Sequence, residues 1–147
     1  LSLFATSSDP GASTDARLSA NIFMVNQLNS GGGSQYGIAA GIPGAAGVHG
    51  TRASGVAVAR NAFDDEEAGL TLAHELGHFL GLFHTSESEG QGFDPLGDTL
   101  ECPDWAAADP ENCFDKHNLM FWAPVEDQRA DVSLAQAGVL RANPLVK

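Results

Sequence analysis

The period of apolar positions changes several times along the chain, and each change predicts an element. In ARLSANIFMV (16–25), the run Ile22, Phe23, Met24 and Val25 predicts a short buried strand. In ASGVAVAR (53–60), alternation puts Val56 and Val58 on one face of a second strand. Glycine fills eight of the twenty positions from 31 to 50. That density excludes a helix and predicts a loop, with at most a short extended piece around Tyr36 to Ile42. DDEEAGLTLAHELGHFL (64–80) carries Leu72, Ala73, Leu76, Phe79 and Leu80 at helical spacing. Asp64 or Asp65 can cap this helix, Glu66 and Glu67 suit its positive end, and Gly81 can end it. Residues 86 to 115 are acidic and aperiodic, which predicts a long loop. VSLAQAGVLRANP (132–144) predicts a last helix, with Ser133 and Gln136 at capping-box spacing and Pro144 past its end. No repeat or linker divides the chain. The expectation is one α+β domain over residues 1–147.

The central helix holds an unusual set of side chains. HELGHFLGLFH (74–84) contains three of the five histidines. Positions i and i+4 share a helix face, so His74 and His78 can hold one metal ion. Glu75 lies beside His74, offset around the axis, where it can reach a water on that metal without ligating it. Catalytic zinc usually takes three protein ligands. Gly81 turns the chain, and His84 arrives three residues later as the third. His49 and His117 read as surface residues, because three imidazoles already complete the set.

The spacing H-E-x-x-H-x-x-G-x-x-H resembles the signature of metzincin zinc endopeptidases. Thr85 after the third histidine, the acidic D-T segment, the nearby cysteines and the methionine in NLMFW are similar to the pappalysin family. The resemblance spans about residues 53 to 147. It implies a metzincin-like (zincin) catalytic domain with a small twisted mixed sheet, an active-site helix, a Met-turn at Met120 and a closing C-terminal helix. It also implies an upper subdomain over about 1–81 and a lower one over about 82–147. The implied function is zinc-dependent hydrolysis of peptide bonds, with Zn²⁺ on His74, His78 and His84 and Glu75 as general base. The implied partners are protein or peptide substrates and a prosegment or protein inhibitor. Substrate is expected along an edge strand drawn from residues 37 to 59, with Ala123 to Asp127 walling the pocket after the cut. In that pocket Glu126 or Asp127 would favour basic residues; otherwise they form a solvated acidic pair.

This chain departs from the family pattern in three respects. Trp122 stands two residues after Met120, where a tyrosine is usual, and an indole N–H can donate a hydrogen bond but cannot ligate zinc. Only 73 residues precede His74, so part of the upper subdomain is expected to be missing, and Leu1 reads as the start of a processed or trimmed chain. No cysteine precedes the zinc motif to act in latency.

Composition adds limits. With 7 basic and 19 acidic residues the formal charge is −12, which argues against nucleic acid or an anionic membrane as partner. No apolar run is long enough to span a membrane, and no signal peptide is visible. Cys102 and Cys113 lie close in a loop, as a disulfide in an oxidising compartment or as two free thiols. The secreted, extracellular reading goes with the disulfide. In DPLGDTLE, Asp94, Asp98, Thr99 and Glu101 offer hard oxygens for Ca²⁺, or form a solvated turn. Two rival functions stay open: an inactive zinc-holding module that only binds, and a zinc hydrolase whose third ligand is a glutamate.

Overall fold

The computed structural model describes residues 3–6, 19–30, 33–60, 65–103 and 109–146. Three strands form one sheet in the order β1 (Ile22–Val25), β5 (Val56–Ala59), β4 (Gly37–Ala39). β1 runs parallel to β5, with Ile22 opposite Val56 and Val25 opposite Ala59. β4 runs antiparallel to β5, with Gly37 opposite Val58 and Ala39 opposite Val56. β2 (Leu28–Ser30) and β3 (Gly33–Gln35) form a separate antiparallel hairpin. Among the described residues the α-helices are α1 (Asp65–Leu80) and α2 (Leu134–Ala142). The fold is a small mixed α+β domain, and among the described residues no helix is long and apolar enough to cross a membrane.

β5 is the central strand and is buried along its whole length. Ala57 and Ala59 face a core with Phe4, Leu28, Phe23, Val25 and Ile38. By the alternation of a strand, Val56 and Val58 face the other way, where α1 lies across β5 and β4. β1 corrects the expectation of a buried run. It is an edge strand with only one face covered, so Phe23 and Val25 pack while Ile22 and Met24 stay exposed. It is also shorter than 16–25: the strand starts at Ile22, and positions 16–18 lie outside the described residues.

The glycine-rich stretch is more ordered than a loop. It contains the β2–β3 hairpin and, inside the short extended piece expected around Tyr36 to Ile42, β4; β3 is exposed and β4 half-buried along its whole length, so neither shows an alternating apolar period. His49 is no free surface residue either. Asn21 Nδ2 donates to its Nδ1 at 2.8 Å, leaving its Nε2–H to donate to Ser19 Oγ at 3.2 Å, which ties this stretch to the start of β1.

The helices begin and end as their sequences dictate. The N-terminal cap expected at Asp64 lies outside the described residues. At the other end of α1, Leu82 N–H donates to Gly77 O and Gly81 N–H to His78 O, both at 2.9 Å. Gly81 adopts φ 116°, a backbone that favours glycine. This paired C-cap reverses the chain within two residues and brings Leu82 to His84 back beside the helix. In α2 the capping box between Ser133 and Gln136 forms in full.

Candidate metal centre

α1 places His74 and His78 on one face, and the reversal at Gly81 brings in His84. His84 Nε2 lies 3.1 Å from His74 Nε2 and 3.0 Å from His78 Nε2. Each ring is fixed through its other nitrogen. His74 Nδ1 donates to Leu119 O and His78 Nδ1 to Leu82 O, both at 2.8 Å. His84 Nδ1 faces the Glu87 carboxylate at 3.2 Å. Carbonyls and carboxylates only accept, so in a neutral ring the proton sits on Nδ1 and Nε2 is bare. Three lone pairs therefore meet with no proton between them, an arrangement that a shared cation relieves.

The electrostatics agree with this donor set. Burial, then the neighbouring His78, lowers the His74 pKa to about 4. Burial lowers His78 as well. Both rings are neutral at pH 7, as metal ligation requires. Tetrahedral zinc with nitrogens at roughly 2.0–2.1 Å separates its ligand atoms by about 3.3 Å. The observed spacing fits, and the three histidines form a group able to hold one metal ion.

Met120, the residue expected to form a Met-turn, is fully buried. Its sulfur packs so closely on α1 that a Cβ at Gly77 would lie 2.4 Å from it. The preceding residue, Leu119, supplies the carbonyl that orients His74. Asn118 holds this turn, accepting from Met120 N–H at 2.8 Å and bonding through its amide to Gln136 of α2.

The triad opens into a cleft of about 820 Å³. One wall is β3, β4 and α1, including Tyr36, Glu66, Glu67 and Glu75; the other is the segment from Phe121 to Gln128. Burial pushes the Glu75 carboxyl up to about 7, opposed by a hydrogen bond from the Ala39 backbone N–H. Trp122 lines the cleft, and its buried indole N–H meets no acceptor among the described residues.

Cys102 and Cys113 form a disulfide. It packs with Phe121 and Ala123 directly behind the cleft wall. Asp115 is a buried residue that carries no sequence signal. Its Oδ2 accepts from Thr85 Oγ1 and, at 2.7 Å, from Ser86 Oγ, so it anchors the two residues that follow His84. His117 is half-buried rather than superficial, with a buried Nδ1 that has no hydrogen-bond partner among the described residues.

The four calcium candidates do not gather into one carboxylate cluster among the described residues. Asp98 accepts from Ser133 Oγ and Ala135 N–H at the start of α2, and these bonds lower its pKa. Asp94 Oδ1 accepts from Leu96 N–H and Thr99 Oγ1, and Glu101 is exposed. Of these four, Asp94 keeps a buried oxygen, Oδ2, without a hydrogen bond among the described residues.

Three convergent imidazoles on a helix and its reversal, with a buried methionine against that helix and a glutamate in the same cleft, are consistent with a metallopeptidase of the metzincin type, and the family match shows that class. Residues 13–132 match the family described as pregnancy-associated plasma protein-A, and the chain belongs to this pappalysin family of zinc-dependent peptidases. No curated protein and no solved structure gives a match.

Proposed function

We propose that the chain is an endopeptidase with His74, His78 and His84 as its zinc ligands and Glu75 as its general base. The observation that supports this best is the meeting of three bare Nε2 atoms beside a buried carboxyl in the same cleft. Zinc bound there supplies a Lewis acid and an activated water. Glu75 takes the proton from the attacking water and delivers it to the leaving amine. Burial raises the Glu75 pKa to about 7 in the metal-free chain, and a dication held by the three histidines would draw it down towards the ionised form that a base needs. β4, paired only with β5 among the described residues, offers its other edge to an extended peptide as an added strand.

Glu126 and Asp127 lie on the far wall, exposed, and favour substrates with Arg or Lys after the cut. Asp127 has φ 53°, so Asp127→Asn is the suitable charge-removing variant, because asparagine also tolerates that backbone. A peptide library that showed no preference for basic residues, unchanged in Asp127→Asn and Glu126→Gln, would rule out this role. The disulfide supports an extracellular address, and a prosegment or protein inhibitor would cover the cleft between the two subdomains that meet near residue 81. The calcium proposal narrows to Asp94. A melting curve that calcium chelation leaves unmoved at fixed zinc would remove it.

The deciding experiment is hydrolysis of a denatured protein by the purified chain, with metal content measured on the same sample and Glu75→Ala as control. One zinc per chain with cleavage lost in Glu75→Ala is the expected result. One zinc without any cleavage would instead favour the inactive binding module. Zinc retained at full affinity in His84→Ala would exclude His84 as third ligand.

A further inference from the structure

The edge strand touches the proposed base directly. A Cβ built on Gly37 would lie 2.5 Å from Glu75 Cγ and 2.6 Å from Glu75 Oε1. Two residues along the same strand, the Ala39 N–H donates to the Glu75 carboxyl. Between them these contacts fix the height and the direction of the side chain. Gly33, in the neighbouring hairpin, is a natural contrast, since a Cβ there would meet nothing within 4 Å.

We propose that Gly37 is a positioning residue for Glu75: the missing side chain on β4 is the space that the carboxyl occupies, and the Ala39 N–H holds it there. This rests on the reading of Glu75 as the base. The strand that would bind the substrate backbone is thus also the strand that sets the base. The Cβ at Gly37 would point at α1 and leave the main-chain hydrogen bonds of the strand alone. A substitution should therefore act on kcat rather than on KM.

The test is a double-mutant cycle with two readouts. In the metal-free chain, Gly37→Ala should lower the melting temperature, and the same change in a Glu75→Ala background should lower it far less, because the obstructing atoms are gone. In the zinc-loaded enzyme, with a quenched fluorescent peptide, Gly37→Ala should lower kcat by on the order of 10- to 100-fold with KM and zinc content unchanged. Gly33→Ala should match the parent in both. An equal loss of melting temperature in the two backgrounds would show that Glu75 is not what Gly37 accommodates. Unchanged kcat in Gly37→Ala would overturn the positioning role. Retained activity in Glu75→Gln would sink the general-base reading instead, and the melting cycle would still report the contact.

Discussion

Gly77 and Met120 are in contact because one of them has no side chain: a Cβ on Gly77 would stand 2.4 Å from the methionine sulfur. Gly77 is three residues after His74 and one before His78, so the helix face that carries these two proposed ligands rests on this sulfur. Met120 is fully buried and has no open side to swing into. Gly77→Ala would gain helix propensity of up to about 1 kcal/mol, against roughly 1–3 kcal/mol of overpacking. The expected outcome is a lower melting temperature together with weaker zinc affinity, read by competition with a chromophoric chelator. Met120→Leu, which nearly conserves volume, should cost less than about 1.5 kcal/mol and keep the metal. Wild-type zinc affinity in Gly77→Ala would mean that the methionine does not support the ligands.

The buried carboxyl at position 75 carries a pH signature in the metal-free chain. Its pKa is about 7 in the fold against 4.5 unfolded. Between these values the folded state holds the extra proton, so Glu75 lowers stability progressively as pH rises through that window. Glu75→Gln removes the ionisation. It should stabilise the metal-free chain at pH 8 by on the order of 2–3 kcal/mol and leave it nearly unchanged at pH 4. His74 has the opposite sign, with a folded pKa of about 4 against 6.5, so its contribution to stability is lost as pH falls from 6.5 towards 4. Denaturant melts of both proteins across pH 4 to 8 check this. A Glu75→Gln gain that was largest in acid would contradict the assignment.

The convergence of the three histidines is legible in the sequence because its geometry is local. The i, i+4 pair, the glycine reversal and the third histidine all fall within one helix and its cap. The same is true of α2, whose capping box needs only Ser133 and Gln136. Features that depend on distant partners were not legible. Asp115 looks like any loop carboxylate until the fold brings it to Thr85, 30 residues away. Asp98 reads as a cation ligand or as part of a solvated turn, and its partner Ser133 is 35 residues downstream. β1 was expected to be buried because four apolar residues suit a central strand, but its edge position leaves Ile22 and Met24 exposed. The hairpin leaves no signal in the sequence because its strands are short, glycine-bearing and largely exposed, without the alternation that burial of one face imposes.

Glu87 stands behind His84 as the carboxylate that accepts its Nδ1 proton at 3.2 Å. Such a partner fixes the ring and raises the basicity of the ligating nitrogen, and its loss typically costs 10- to 100-fold in metal affinity. Glu87→Gln should weaken zinc binding by roughly that factor, while the exposed Glu89→Gln should not. Equal affinities in the two variants would reduce the Glu87 contact to an exposed ion pair of little consequence.

The disulfide is the remaining long-range support of the cleft. Cys102 and Cys113 close a loop with a sequence separation of 11, and both are buried against Phe121 and Ala123. The Cys102 N–H also donates to Ser86 Oγ, which donates in turn to Asp115, so one network joins the disulfide to the chain just after His84. From the wall, Glu126 N–H donates to Glu111 Oε1 at 2.7 Å within the same loop. Replacing both cysteines with alanine should cost about 2–4 kcal/mol of stability. Because α1 and its C-cap do not depend on this loop, His74 and His78 should keep their places. Zinc should therefore stay bound below the new melting temperature, while KM for peptides rises as the wall from Phe121 to Asp127 loses its backing. Steady-state kinetics of the double variant beside the parent, with zinc content on the same samples, separates the two effects. Loss of zinc before any change in KM would place the disulfide under the metal centre and not under the wall.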